Sequence, residues 1–321
     1  RPVSARGGHW RYLLGKTLRR HRAAVVAGAL ALAALISLSL SLLRQYEQTR
    51  LALAEAEQRQ QELRGTVEFL TGMFSEFDPN VAPGRLLTPQ ALTDLATARL
   101  DALPDLPPGA RIDLMRSLAS IYNNIGANEP ALELSLKLIE LLPQAAATDT
   151  ELASARLMAA ISLERLGRVK EGLVMAQQAE RGSRDSTNPL LRGEALLALG
   201  LAWQNNADPA AAEASYAQAE GYFRQSPGGQ AGLAKLLHNR GHLALYQGQA
   251  ERALDDYQEA VRIKTAVANA DHPTVFTSRM GEAKALSRLG RYPEALAVLT
   301  DLIPRVERTL GTGSDRYRIL Q

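Results

Sequence analysis

The chain has 321 residues, 46% of them hydrophobic, no cysteine and a formal net charge of +3. The missing thiols exclude disulfides, thiolate metal sites and cysteine nucleophiles. Residues 1–22 hold seven Lys or Arg and no acid, so the remainder sums to −4; a nucleic-acid binder would carry its positive charge on the folded part, and no nucleic-acid partner is expected.

The first element follows that basic flank. Residues 23–43 carry no charged side chain, and a helix of that length, at about 1.5 Å per residue, reaches roughly 31 Å, the thickness of a bilayer's hydrocarbon core. A core helix would show a polar stripe, whereas only Ser37, Ser39 and Ser41 interrupt the run, and their hydroxyls bond to their own backbone. A signal peptide would have a shorter apolar region and a small-residue cleavage site, but Leu42, Leu43, Arg44, Gln45 and Tyr46 follow. The first residue is Arg1, so the chain reads as an excerpt. Its charge asymmetry predicts a single-pass transmembrane helix with residues 1–22 cytoplasmic and 44–321 outside the cytosol. The basic flank is then expected to meet anionic lipid headgroups.

Residues 44–87 read as a helical stalk ending in a loop, FDPNVAPGRLLTPQ, Phe77 to Gln90. Thr88 is expected to cap a helix that starts at Pro89 and runs to about Leu103, where PDLPPG breaks it. From residue 88 the chain repeats. Turn positions Gly126, Gly167, Ala207, Gly248 and Gly290 recur every 40 to 42 residues, and a small residue follows each by five: Ala131, Gly172, Ala212, Ala253 and Ala295. Each unit therefore reads as helix, turn, helix, with the small residue where the two helices approach.

The clearest unit is LLHNRGHLALYQGQAERALDDYQEAVRI, Leu236 to Ile263, with Gly241, Gly248, Ala253, Tyr257 and Ala260 in sequence. These residues resemble the tetratricopeptide repeat, which implies an α-solenoid forming a right-handed superhelix. Units two and five depart from that pattern, with Ala176 and Leu299 at the aromatic place. The period near 41, with an inserted loop carrying His272-Pro273, resembles the kinesin-light-chain subtype. ERTLGTGSDRYRIL at the end begins a sixth unit. The predicted class is all-α: one transmembrane helix, a stalk, then a tetratricopeptide solenoid over 88–321.

A second resemblance covers roughly residues 1–143. RPVSARGGHWRYLLGKTLRRHR, the span, RGTVEFLTGMFSEFDPN and LTPQALTDLATARLDAL are similar in wording and order to the region behind the catalytic domain of bacterial transmembrane serine/threonine kinases. The resemblance implies a bacterial inner membrane, a periplasmic repeat domain and a kinase upstream. No glycine-rich nucleotide loop, His-Arg-Asp or Asp-Phe-Gly occurs here, so no catalytic or cofactor residue is assigned, and ATP and Mg belong only to that upstream domain.

His238 and His242, four apart, have a spacing that holds zinc or copper, but Asn239 replaces the metalloprotease Glu and no third ligand is evident, so no metal is assigned. Function is expected on the concave surface lined by first helices, which nominates Asn123, Asn124, Gln204, Asn205, His238, Asn239, His242, Lys284 and Arg288 to contact a protein or peptide. The leading expectation is the anchor and sensing region of a receptor-like kinase, with homodimerisation through span or stalk. The alternative is an anchored scaffold for envelope proteins with no kinase. A hydrolase is disfavoured, because no nucleophile, base and orienting group can be assembled.

Overall fold

The computed structural model describes residues 22–75, 88–102, 106–145, 147–312 and 318. Residues 1–21 of the basic segment, the loop after the stalk, and residues 313–317 and 319–321 of the sixth unit lie outside the described residues. Residues 1–65 form one compact unit and residues 66–321 another.

Helix α1, Arg22–Ser75, runs unbroken through the predicted span and stalk. Among the described residues no helix is long and apolar enough to cross a membrane, so the expected span at 23–43 is not shown. Between residues 23 and 34, six residues have no described side chain. Of those described, Val26, Leu30, Leu35, Ile36, Leu40 and Leu43 are each more than half exposed.

In the second unit every described element is helical. Helix α2, Pro89–Asp101, starts as expected, with the Thr88 hydroxyl accepting from the Ala91 N–H at 3.1 Å and Pro89 in the first turn, where a missing N–H costs nothing. Five hairpins follow: α3 (Pro108–Ile125) with α4 (Asn128–Leu141), α5 (Asp149–Arg165) with α6 (Val169–Ser183), α7 (Pro189–Asn205) with α8 (Pro209–Gln225), α9 (Gln230–Tyr246) with α10 (Ala250–Val267), and α11 (Pro273–Arg288) with α12 (Tyr292–Leu310). His272-Pro273 opens α11, the His272 ring accepting from the Thr274 N–H at 3.3 Å.

All five predicted turn residues are left-handed, with φ of 84° at Gly126, 73° at Gly167, 60° at Ala207, 78° at Gly248 and 73° at Gly290. The residue after each donates its N–H back to the carbonyl five before it, as Gln249 does to Ala244 at 2.8 Å and Arg291 to Leu286 at 2.9 Å, so the last turn's free carbonyls are satisfied. The five small residues that follow are all buried. Large rings sit on glycines of the facing helices. A Cβ added at Gly200 would lie 2.5 Å from the Tyr216 ring, and one at Gly281 would lie 2.4 Å from the Tyr257 ring. Each hairpin buries its apolar face on the next, so the core runs the length of the repeats rather than collecting at a centre.

Candidate functional site: the groove of the first helices

The first helices α5, α7, α9 and α11 share one face. Counting back from each turn residue, positions 13, 10, 6 and 3 fall on a single helical stripe. In α7 these are Glu194, Leu197, Leu201 and Gln204; in α9 positions 13, 10 and 6 are Lys235, His238 and His242; in α11 they are Thr277, Met280 and Lys284. Two cavities open on this stripe. The first, of about 370 Å³, has an apolar floor of Ile161, Leu197, Ala198 and Leu201 and charged walls of Glu164, Arg165, Glu194, Lys235 and Lys264. The second, of about 660 Å³, is lined by His238, His242, Met280, Lys284, Tyr292 and Leu296, among others.

A hydrogen-bonded chain fixes the histidines. The Tyr216 hydroxyl donates to Gln204 Oε1 at 3.0 Å, which leaves the Gln204 amide nitrogen as donor to His242 Nδ1 at 3.1 Å. Lys264 Nζ donates to Ser278 Oγ at 2.7 Å, and the same oxygen is hydrogen-bonded to His238 Nδ1 at 3.1 Å. The His242 ring therefore keeps its proton on Nε2. A metal held through Nε2 needs the opposite arrangement, with Nδ1–H donating to an acceptor, so the Gln204 bond argues against zinc or copper on His242. Burial, then the charge of Lys264 and of His242, pulls His238 down to about 4, so its ring is neutral at pH 7. His238 also stands edge-on to the Tyr257 ring, with centroids 5.5 Å apart.

The other predicted residues divide. Asn239 lines the first cavity with His238, and Lys284 lines the second with both histidines. Asn205 donates to Glu164 Oε2, tying α7 to α5. Asn123 is buried: its amide nitrogen reaches the Met158 carbonyl at 3.5 Å, its oxygen accepts from Ser162 at 3.0 Å, and its carbonyl accepts from Arg165. Asn123 thus joins α3 to α5 instead of facing a ligand. Asn124 and Arg288 are exposed and make no side-chain hydrogen bond among the described residues.

Sequence reasoning missed Glu164, Arg165, Glu194, Lys235 and Lys264. Glu164, Glu194 and Lys235 stand in the register already set by the turns, at positions 3, 13 and 13, and that count would have found them. Lys264 lies on a second helix, where nothing in the register marks it. Burial pushes the Glu164 carboxyl up, its Oε1 being buried without a partner. Burial, then the charge of Lys235, pulls the Lys264 ammonium down to about 8.

The fold that these helices define is a tetratricopeptide-like solenoid. The tetratricopeptide repeat family model matches residues 232–308. Among solved structures, NprR in complex with its cognate peptide NprX is similar at 12% identity and TM-score 0.57, over 81% of this chain and 71% of that one. BtubC (BKLC) from P. vanneervenii is similar at 15% identity and TM-score 0.52, over 79% and 93%. Kinesin light chain TPR-like repeats from Podosopora anserina are 18% identical over 62% and 96%, with a TM-score of 0.48. Among curated proteins the sequence finds no match.

Proposed function

We propose that this chain is the membrane anchor and extracytoplasmic peptide- or protein-binding region of a receptor-like serine/threonine kinase. The observation that carries the binding role is the stripe itself: polar donors and charges over an apolar floor, repeated on successive first helices beside two open cavities. Extended peptides bind such a face by donating and accepting along their backbone, for which the Nε2–H group of His242 and the ammonium of Lys284 are suited. NprR, which shares the fold, binds a peptide.

The anchoring role is supported by the uncharged run within α1 and its outward Leu, Ile and Val side chains, which water solvates poorly. The kinase parent is supported by the wording and order of residues 1–143. In this reading a ligand in the groove alters the association of stalk and span and brings cytoplasmic kinase domains together. A scaffold without a kinase differs at one place: the receptor reading requires kinase motifs encoded upstream of Arg1.

Binding is tested by panning a peptide display library against the chain in detergent micelles. Selected peptides should lose at least tenfold in affinity when Lys284→Ala and His242→Ala are combined. Selection of nothing above background, or peptides indifferent to these substitutions and to others along the stripe, would remove the binding role.

A further inference from the structure

Elsewhere in the repeats, exposed cations regularly find carboxylates, as Arg168 does Glu171, Arg252 does Glu213 and Arg291 does Glu294. The first cavity breaks that habit. Five charged side chains line it, Glu164, Arg165, Glu194, Lys235 and Lys264, and among the described residues none forms an ion pair. Lys264 is the extreme case: its ammonium spends two of three N–H donors on neutral acceptors, the Thr274 carbonyl at 3.2 Å and Ser278 Oγ at 2.7 Å. A partly buried cation without a counter-ion is unfavourable, and an anion arriving from outside would relieve it.

The charges are also sorted. Glu164 and Glu194 stand on α5 and α7, with Arg165 held back by its bond to the Asn123 carbonyl. Lys235 and Lys264 stand on α9 and α10, and the apolar floor of Leu197, Ala198 and Leu201 lies on α7. Glu194 and Lys235 hold the same register position on adjacent first helices, whose axes pack about 8–10 Å apart. A chain of about three residues spans that distance when extended, at about 3.3–3.6 Å each.

We propose that this cavity holds a short free peptide end to end, its ammonium at Glu194 and its carboxylate at Lys235 and Lys264, with an apolar side chain on the Leu197–Leu201 floor. The assignment rests on the groove being a peptide site and names what occupies this part of it. It differs from recognition of a long peptide's backbone, because both termini are read and the ligand's length is limited by the two walls.

The test uses the full chain in detergent micelles and an equimolar pool of tripeptides with Leu in the middle and every amino acid at either side. Retention with the protein on ultrafiltration is read by mass spectrometry, for the free pool, the N-acetylated pool and the C-amidated pool. Members of the free pool should be retained, and blocking either end should cost at least tenfold. Glu194→Gln should weaken the free and C-amidated peptides but leave the N-acetylated ones unchanged, while Lys235→Gln should leave the C-amidated ones unchanged. Both sites are exposed, so neither change threatens folding; Lys264→Met adds a third variant, with helicity checked by circular dichroism.

Retention indifferent to both blocks would overturn the inference. So would retention that depends on the carboxylate alone, which would mark the tail of a longer chain as the ligand. If library-selected peptides bind the stripe but no tripeptide is retained, the end-to-end site is wrong and the groove reading stands. If neither binds, both fall.

Discussion

Ala207 occupies the one turn of the five where glycine is absent, yet its backbone is left-handed at φ 60°. An L side chain in that region costs about 1–2 kcal/mol, which glycine avoids at some expense in chain entropy. Ala207→Gly is therefore expected to raise the urea unfolding midpoint, by about 0.5–1 kcal/mol in stability. Two helical glycines should respond with opposite signs. Gly221 has nothing within 4 Å of an added Cβ, so Gly221→Ala should gain about 0.5–1 kcal/mol from helix propensity. Gly200→Ala would drive a methyl to 2.5 Å from the fully buried Tyr216 ring and should cost about 1–3 kcal/mol net, which the same denaturation series would register. His238 sets a pH dependence. Its pKa falls from an ordinary 6.5 to about 4 in the fold, so the unfolded chain takes up a proton that the folded chain refuses. Its contribution is full above pH 6.5 and declines as pH falls towards 4, by up to about 1.4 kcal/mol per unit. Raised by burial, Glu164 acts in the opposite sense, contributing below its ordinary carboxylate range and losing that contribution as pH rises through its folded value. His238→Gln should flatten the decline between pH 6.5 and 4, and an unchanged slope would show that the ring is not held neutral.

At the scale of elements, a buried network ties α8, α9 and α10. Arg240 reaches Asp256 with two bonds, 2.9 and 2.7 Å, and its remaining nitrogen meets Glu220 at 2.5 Å. Asp256 is 6% exposed, and Asp256→Ala takes two charge-assisted bonds from a guanidinium that keeps only Glu220, so it should cost about 1–3 kcal/mol by denaturant unfolding. Replacing both charges, Arg240→Met with Asp256→Leu, should restore most of that loss. The hairpins were legible in the sequence because their signals are local: a left-handed position calls for glycine, and a close helix crossing calls for a small residue five places on. The stripe was only half legible. Selecting polar residues on first helices found His238, His242 and Lys284, but it passed over Ile161, Leu197 and Leu201, which form the floor. It also took Asn123 for a ligand contact, although burial by the neighbouring hairpin spends its amide between α3 and α5. Burial by a partner 35 to 39 residues away leaves no local mark, and Lys264, on a second helix, lies off the register that marks the first helices.

At the scale of the whole molecule, the two parts treat their apolar side chains differently. The repeats satisfy their own apolar faces hairpin by hairpin, as the buried clusters along them show. The uncharged stretch of α1 does not: its described leucines, Val26 and Ile36 stand open, and about 25 cal/mol for each Å² of apolar surface favours covering them. In the proposed anchor, lipid would cover that stretch and the cations of residues 1–22 would stay on the cytoplasmic side, which would put the groove outside the cytosol. The most direct measurement is a paired fusion after Gln321 in a bacterial host, one to a phosphatase active only outside the cytosol and one to a fluorescent protein that matures only inside it. The account predicts phosphatase activity, a dark fluorescent fusion, and a chain that leaves the membrane only with detergent. A bright fluorescent fusion with an inactive phosphatase would contradict it.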